Sequence, residues 1–158
     1  MAPSHIPLFY HLIFLVWEPL SAVGGGLQLL TKPGDFLNTF VPPTVATPDP
    51  LQRIIFNELG AAYISIGAIQ GLLLTCTKDL RIWELLNICL LVCWDTILLY
   101  SYWCSLSAQG RLDWRDWRPE DWTVVLITVV VGATRLAFAA GIGLRRARAH
   151  VKPAAKKN

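Results

Sequence analysis

Charge is scarce in this sequence: only 16% of its 158 residues are Asp, Glu, Lys or Arg, and they lie in blocks. The blocks are separated by long apolar stretches, and 54% of all residues are hydrophobic. That balance excludes an ordinary soluble domain of this length. Recognisable catalytic signatures are missing too. There is no phosphate-binding loop, no Gly-x-Ser-x-Gly elbow and no haem motif. Histidine is sparse, and His5, His11 and His150 are not arranged as ligands. No His lies near the cysteines in sequence. Cys89 and Cys93, four apart in apolar surroundings, therefore read as small buried hydrophobes, with Cys76 and Cys104 toward opposite membrane faces. No metal and no cofactor is expected. Solenoid-type repeats are absent, and one domain of this size offers no obvious channel filter.

What is present is four apolar stretches of spanning length, at residues 8–30, 54–76, 82–106 and 122–144. About 20 apolar residues suffice to cross the hydrocarbon core as a helix. Strands of a barrel alternate over about ten residues, which these stretches do not. The expected fold is all-α, a four-helix transmembrane bundle forming a single domain over residues 1–144, followed by a basic cytosolic tail over 145–158. A cleaved signal peptide competes for the first stretch, because Ser21 to Gly26 resemble a cleavage region. However, no Lys or Arg precedes the apolar run and Glu18-Pro19 interrupts it, so a span is expected.

Four spans put both termini and the second loop on one side. That side carries eight basic residues against five on the other, which places both termini in the cytosol. Most of the margin comes from Arg145, Arg146, Arg148, Lys152, Lys156 and Lys157 in the tail. Those cations serve as a stop-transfer signal and a contact for anionic lipid headgroups. No nucleic-acid partner is expected, since the tail has no aromatic or groove-reading element beside its charge. Lys156-Lys157-Asn158 approximates a dilysine signal and suggests the endoplasmic reticulum. Residues 31–50 hold Pro33, Pro42, Pro43, Pro48 and Pro50 and read as an extended loop rather than helix. Trp114, Trp117 and Trp122 read as interfacial anchors, or as the roof of a ligand cavity.

The ionisable residues inside the spans carry the chemistry. Glu18, Asp95 and Arg135 fall near the middle of spans one, three and four. Each costs about 2.5–3.5 kcal/mol or more at bilayer depth, so they should face the protein interior and find one another. Helical spacing predicts a polar stripe of His11, Glu18, Ser21, Gly25 and Gln28 in the first span. In the third, Asn87, Asp95 and Tyr102 share a face. In the fourth, Thr128, Gly132, Arg135, Ala139 and Gly143 place the Arg on a small-residue packing face, which would also permit a homodimer. Gly60, Gly67 and Gly71 suggest close packing of the second span, and Pro19 a kink after Glu18.

Two readings of the charges follow. Arg135 is a counter-ion that lets two carboxylates be buried and fixes helix register. Alternatively, a carboxylic acid in a dry cavity keeps its proton at neutral pH and donates it to an alkene or epoxide. Candidate catalytic residues are then Glu18, Asp95 and Arg135, with Trp17, Glu58, Trp94, Tyr100 and Tyr102 as substrate-binding groups. The partner implied is a lipophilic small molecule within the lipid bilayer.

Trp17-Glu18-Pro19, Asn57-Glu58, Leu80-Arg81-Ile82-Trp83, Asp95 with Tyr100, Asp121-Trp122 and Arg135 together support a further reading. Across nearly the whole chain, this pattern resembles a family of short fungal four-span integral membrane proteins. The resemblance implies a fungal source and an intracellular membrane, and it leaves the activity open. Fungal natural-product pathways, which use small membrane-bound cyclases and isomerases, are a plausible setting. A looser likeness, in architecture alone, is to the emopamil-binding sterol isomerases, which move protons with intramembrane carboxylates. This chain lacks a recognisable His partner for its acids, so none of their catalytic residues is carried over. The expected activity is acid/base isomerisation or cyclisation of a terpenoid, sterol or polyketide-like lipid. The alternative is a non-catalytic membrane protein that binds lipid or scaffolds partners.

Overall fold

A computed structural model describes residues 6–144, so the basic tail lies outside the described residues. Five helices follow in order. They are α1 (Leu8–Thr31), α2 (Pro33–Phe40), α3 (Pro50–Cys76), α4 (Leu80–Ala108) and α5 (Pro119–Ala139). Among the described residues there is no strand. All but α2 are long and apolar enough to cross a membrane, so the chain is an all-α integral membrane protein.

The helix ends follow from local chemistry. Asp79 starts α4 by accepting a hydrogen bond from the Arg81 N–H at 2.9 Å, and only three residues separate α3 from α4. Pro119 opens α5 at a position where its missing N–H costs nothing, and Asp121 accepts from the Arg118 N–H at 2.7 Å. At its other end α5 stops at Ala139, earlier than the sequence suggested. Gly141 and Gly143 then take φ of 75° and 74°, a left-handed conformation that ends the helix. Gly143 therefore does not continue the expected stripe.

Two further expectations are corrected. Residues 31–50 are not wholly extended, because α2 forms at Pro33–Phe40 with Pro33 in the tolerated first turn. All four cysteines are exposed on the outside of the bundle, the lipid-facing surface of the spans, and are not part of its core.

Close packing pairs α1 with α3. A Cβ on Gly26 would lie 2.7 Å from the Gly60 carbonyl oxygen, and one on Gly67 would lie 2.9 Å from that of Pro19. Only glycine lets these two backbones approach so closely. At the end of the bundle where the chain enters and leaves, Tyr10, Phe14, Leu74, Trp83 and Phe138 form the apolar core. There the Tyr10 hydroxyl donates to the Ile142 carbonyl at 2.9 Å, tying the start of α1 to the chain after α5. At the far end α2 packs over the bundle through Phe36 on Tyr63, at 5.7 Å, and Phe40 on Tyr102, at 6.1 Å.

Two spans contain π-helical turns, Leu12–Trp17 in α1 and Leu91–Asp95 in α4. The first runs into Pro19, whose ring removes an N–H from the helical ladder, and the Glu18 N–H reaches back to the Ile13 carbonyl. In the second, the Thr96 hydroxyl donates to the Leu91 carbonyl at 2.9 Å, supporting the widened turn.

Candidate functional site in the bundle interior

Each spanning helix delivers one polar side chain to a common point. Arg135 of α5 donates through Nη2 to Glu18 Oε2 of α1 at 2.7 Å, and through Nη1 to Asp95 Oδ2 of α4. Gln70 of α3 donates through Nε2 to the same Glu18 oxygen at 2.5 Å, and to the Phe14 carbonyl at 3.0 Å. All four residues are buried. Both carboxylates sit where a π-helical turn ends: Glu18 follows Leu12–Trp17 directly, and Asp95 is the last residue of Leu91–Asp95. The wide turn also sets the register of α1. Its buried positions are Tyr10, Phe14, Glu18, Gly26 and Leu29, whereas Ser21 is exposed. The expected stripe through His11, Ser21 and Gln28 thus keeps Glu18 but is displaced around it.

The cluster is not closed upon itself. Glu18 Oε1 and Arg135 Nε are buried without a hydrogen-bond partner. Such atoms are uncommon in packed interiors and mark strained or functional positions. Glu18, Gln70, Asp95 and Arg135 border one cavity of about 210 Å³, whose other walls include Trp17, Tyr63, Trp94, Leu98, Ile127 and Thr128. Trp94 meets Tyr63 edge to face at 4.9 Å. The arrangement places two carboxylates, one guanidinium and two indoles around a small space with mostly apolar walls.

Of the site residues expected from sequence, Glu18, Asp95, Arg135, Trp17 and Trp94 come together at this cavity. The other three lie elsewhere. Glu58 is exposed near the start of α3. Tyr100 is 68% exposed on the outside of α4. Tyr102 is buried, but its hydroxyl donates to Asp121 Oδ1 at 2.5 Å near the far end of the bundle. Tyr100 cannot follow Tyr102 inward, because two residues on a helix are about 200° apart.

Gln70 is the member that charge alone does not reveal. Its signal is the spacing of Gly60, Gly67, Gln70 and Leu74, which are the buried positions of α3. Asp121 forms a second buried centre. It accepts from Arg111, from Arg118 Nη2 at 3.0 Å and from Tyr102, while Arg118 also reaches Asn38 Oδ1 of α2 at 3.1 Å. This centre fastens α2, the α4–α5 connection and α5 to one another. Trp114 and Trp117 pack on Trp122 beside it, and none of the three borders the cavity. Among the described residues, no group of three His, Cys, Asp or Glu side chains is placed to hold a metal ion.

Comparison with known sequences gives a family without a mechanism. The family model described as Domain of unknown function (DUF7704) matches residues 3–145, and the chain belongs to that family. No curated protein and no solved structure matches.

Proposed function

We propose that this member of the family is a membrane-embedded isomerase or cyclase, moving protons on a lipophilic substrate with its intramembrane carboxylates. The observation that carries the reading is the pairing of Glu18 and Asp95 on one guanidinium beside an apolar cavity, with Glu18 Oε1 left without a partner. Two carboxylates and one guanidinium leave one excess negative charge where charge is expensive. One proton held by the pair makes the set neutral, and that proton is the one used.

Glu18 donates it from Oε1 to an alkene or epoxide, its O–H bond breaking as the new bond to hydrogen forms. The cation left on the substrate is stabilised by Asp95, which Arg135 keeps ionised, and by the ring faces of Trp17 and Trp94. Asp95 then takes a proton from a neighbouring carbon, and the C–H electron pair becomes the new double bond. Support for a working site comes also from the two π-helical turns, a feature frequent where helices carry function.

The substrate is a terpenoid, sterol or polyketide-like lipid, and the setting is fungal natural-product metabolism, in keeping with the sequence resemblance. The protein resides in the endoplasmic reticulum membrane with both termini cytosolic, as the distribution of basic residues favours.

A second reading, a non-catalytic lipid-binding or scaffolding protein, has one observation in its favour. A single polar side chain from each of the four spans meets at one point, which is what a register-fixing network requires.

Metabolite extracts separate the two. A deletion strain is complemented with wild type, Glu18→Gln or Asp95→Asn, with protein levels checked by blot. The catalytic reading expects loss of a product and accumulation of its precursor at normal protein level. A wild-type metabolite profile in both variants overturns it and leaves the charges structural.

A further inference from the structure

Aromatic side chains pack across the bundle axis on both sides of the cavity. Toward the end where the chain enters and leaves, Phe14 and Phe138 are fully buried and meet edge to face at 5.5 Å, with Tyr10 and Trp83 packed around them. Toward the far end, Tyr63 stands against Trp94 and is itself covered by Phe36 of α2. Beyond that lies the buried Asp121 centre, which holds α2 down through Arg118 and Asn38.

The sides are different. Trp17 is 51% and Ile127 44% exposed, and Ser21 is exposed as well, although all three border the cavity. They belong to α1 and α5, both of spanning length, so the surface they expose is the one immersed in hydrocarbon. Size adds a constraint. The volume of about 210 Å³ falls below the ~300–1,000 Å³ of pockets that enclose a whole drug-sized ligand. A cavity this small with an apolar side opening suits one end of a molecule whose remainder stays outside.

We propose that the site receives, from the side and out of the bilayer, one unsaturated apolar end of a long uncharged lipid, whose remainder stays among the acyl chains. Water has no comparable route to Glu18 and Asp95. The consequence for chemistry rests on the acid/base reading above: the substrate cation is discharged by proton loss to Asp95, and not by capture of water. The product is therefore an isomer of the substrate, and hydration is excluded.

Access can be measured without turnover. The full chain is reconstituted in phosphatidylcholine vesicles containing an uncharged long-chain alkyl diazirine, irradiated, and mapped by peptide mass spectrometry. In parallel, hydroxyl radicals are generated in the aqueous phase. The expected result is carbene adducts on Thr128, which is buried and borders the cavity, besides adducts on the exposed Trp103 of α4. Aqueous radicals should oxidise the exposed Trp114 and spare Trp94.

Filling the opening with Ile127→Trp, or separately with Ser21→Phe, should abolish the Thr128 adducts and leave those on Trp103. Oxidation of Trp94 at the rate of Trp114 would overturn the proposal. So would Thr128 adducts that are absent in wild type or unchanged in both filled variants. Glu18→Gln keeps the two hypotheses apart. Intact labelling with normal metabolites in that variant removes the catalytic reading and retains lateral access, whereas lost metabolites with Trp94 oxidised do the reverse.

Discussion

Arg135 and Glu18 are 117 residues apart in sequence, yet the guanidinium Nη2 donates to the carboxylate Oε2 at 2.7 Å across the interior of the bundle. The same guanidinium reaches Asp95 with its other terminal nitrogen. Removing the cation would leave the buried Asp95 carboxylate without its counter-ion, beside a second acid. Arg135→Met is therefore expected to cost about 3–5 kcal/mol, the penalty typical of breaking a buried ion pair. Thermal unfolding in detergent, followed by size-exclusion fluorescence, should show a lower midpoint and a lower folded yield. The triple variant Arg135→Met, Glu18→Gln, Asp95→Asn removes charge from both sides and should recover much of that loss. If it is no more stable than Arg135→Met alone, mutual charge neutralisation is not what holds the cluster.

Gln70 makes a different kind of contribution. Its amide nitrogen donates to Glu18 at 2.5 Å and to the Phe14 carbonyl at 3.0 Å, fixing the carboxylate relative to the π-helical turn. Gln70→Leu keeps the volume near constant and deletes both hydrogen bonds. With Glu18 protonated both bonds are between neutral groups, about 0.5–1.5 kcal/mol each, so the expected loss of stability is about 1–3 kcal/mol. Because Gln70 positions Glu18 and is not the proton donor, product formation should be reduced in Gln70→Leu and abolished in Glu18→Gln. Gln70→Glu would add a third carboxylate to one guanidinium and is expected to be worse than Leu in the same thermal assay.

The ease of reading this site from sequence tracks the cost of burying each group. Glu18, Asp95 and Arg135 announce themselves because an ionised side chain cannot face lipid. Their meeting then follows from helix length and rise. Gln70 is uncharged and far less conspicuous in an apolar helix, so it emerges only from its spacing with Gly60, Gly67 and Leu74. The register of α1 is obscured for another reason. A π-helical turn rotates every later residue relative to an ideal helix, and nothing in Leu12–Trp17 signals one until Pro19 is considered. Helix α2 is hidden by Pro33 and by the four prolines that follow the helix, although Pro33 stands at the one place where a helix accepts it. Tyr100 and Tyr102 show the limit of composition: alike in chemistry and two residues apart, they face lipid and interior respectively.

The pairing of α1 with α3 yields a packing prediction with its own control. In Gly26→Ala the new methyl would lie 2.6 Å from Ile64 Cγ1 and 2.7 Å from the Gly60 oxygen, and Gly67→Ala would press on the Pro19 oxygen at 2.9 Å. Backbone contacts of that kind are relieved only by moving the helices apart, and overpacking typically costs about 1–3 kcal/mol. Gly24 belongs to the same helix, but a methyl added there would have nothing within 4 Å. Gly24→Ala should be neutral or stabilising by up to about 1 kcal/mol, since alanine is the better helix former. Thermal midpoints of the three variants test this directly. Equal loss at all three positions would mean that helix separation is not the cause.

The Asp121 centre predicts a local effect, distinct from global unfolding. Asp121 is fully buried and is the acceptor for Arg111, Arg118 and Tyr102, whereas the two arginines remain about one-fifth exposed. In Asp121→Asn the arginines can turn outward and recover water, so the penalty stays near the ~1–3 kcal/mol of lost hydrogen bonds and well below that of a stranded charge. The consequence should appear in the α4–α5 connection, whose Arg111 and Arg115 are trypsin sites, Arg118 being protected by the following Pro119. Limited proteolysis in vesicles should cleave there faster in Asp121→Asn than in wild type, and Tyr102→Phe should lie between the two because it removes one contact of several. With α2 loosened as well, aqueous radicals should begin to oxidise Trp94 in Asp121→Asn. Faster cleavage with Trp94 still protected would show that the centre anchors the connection without sealing the cavity.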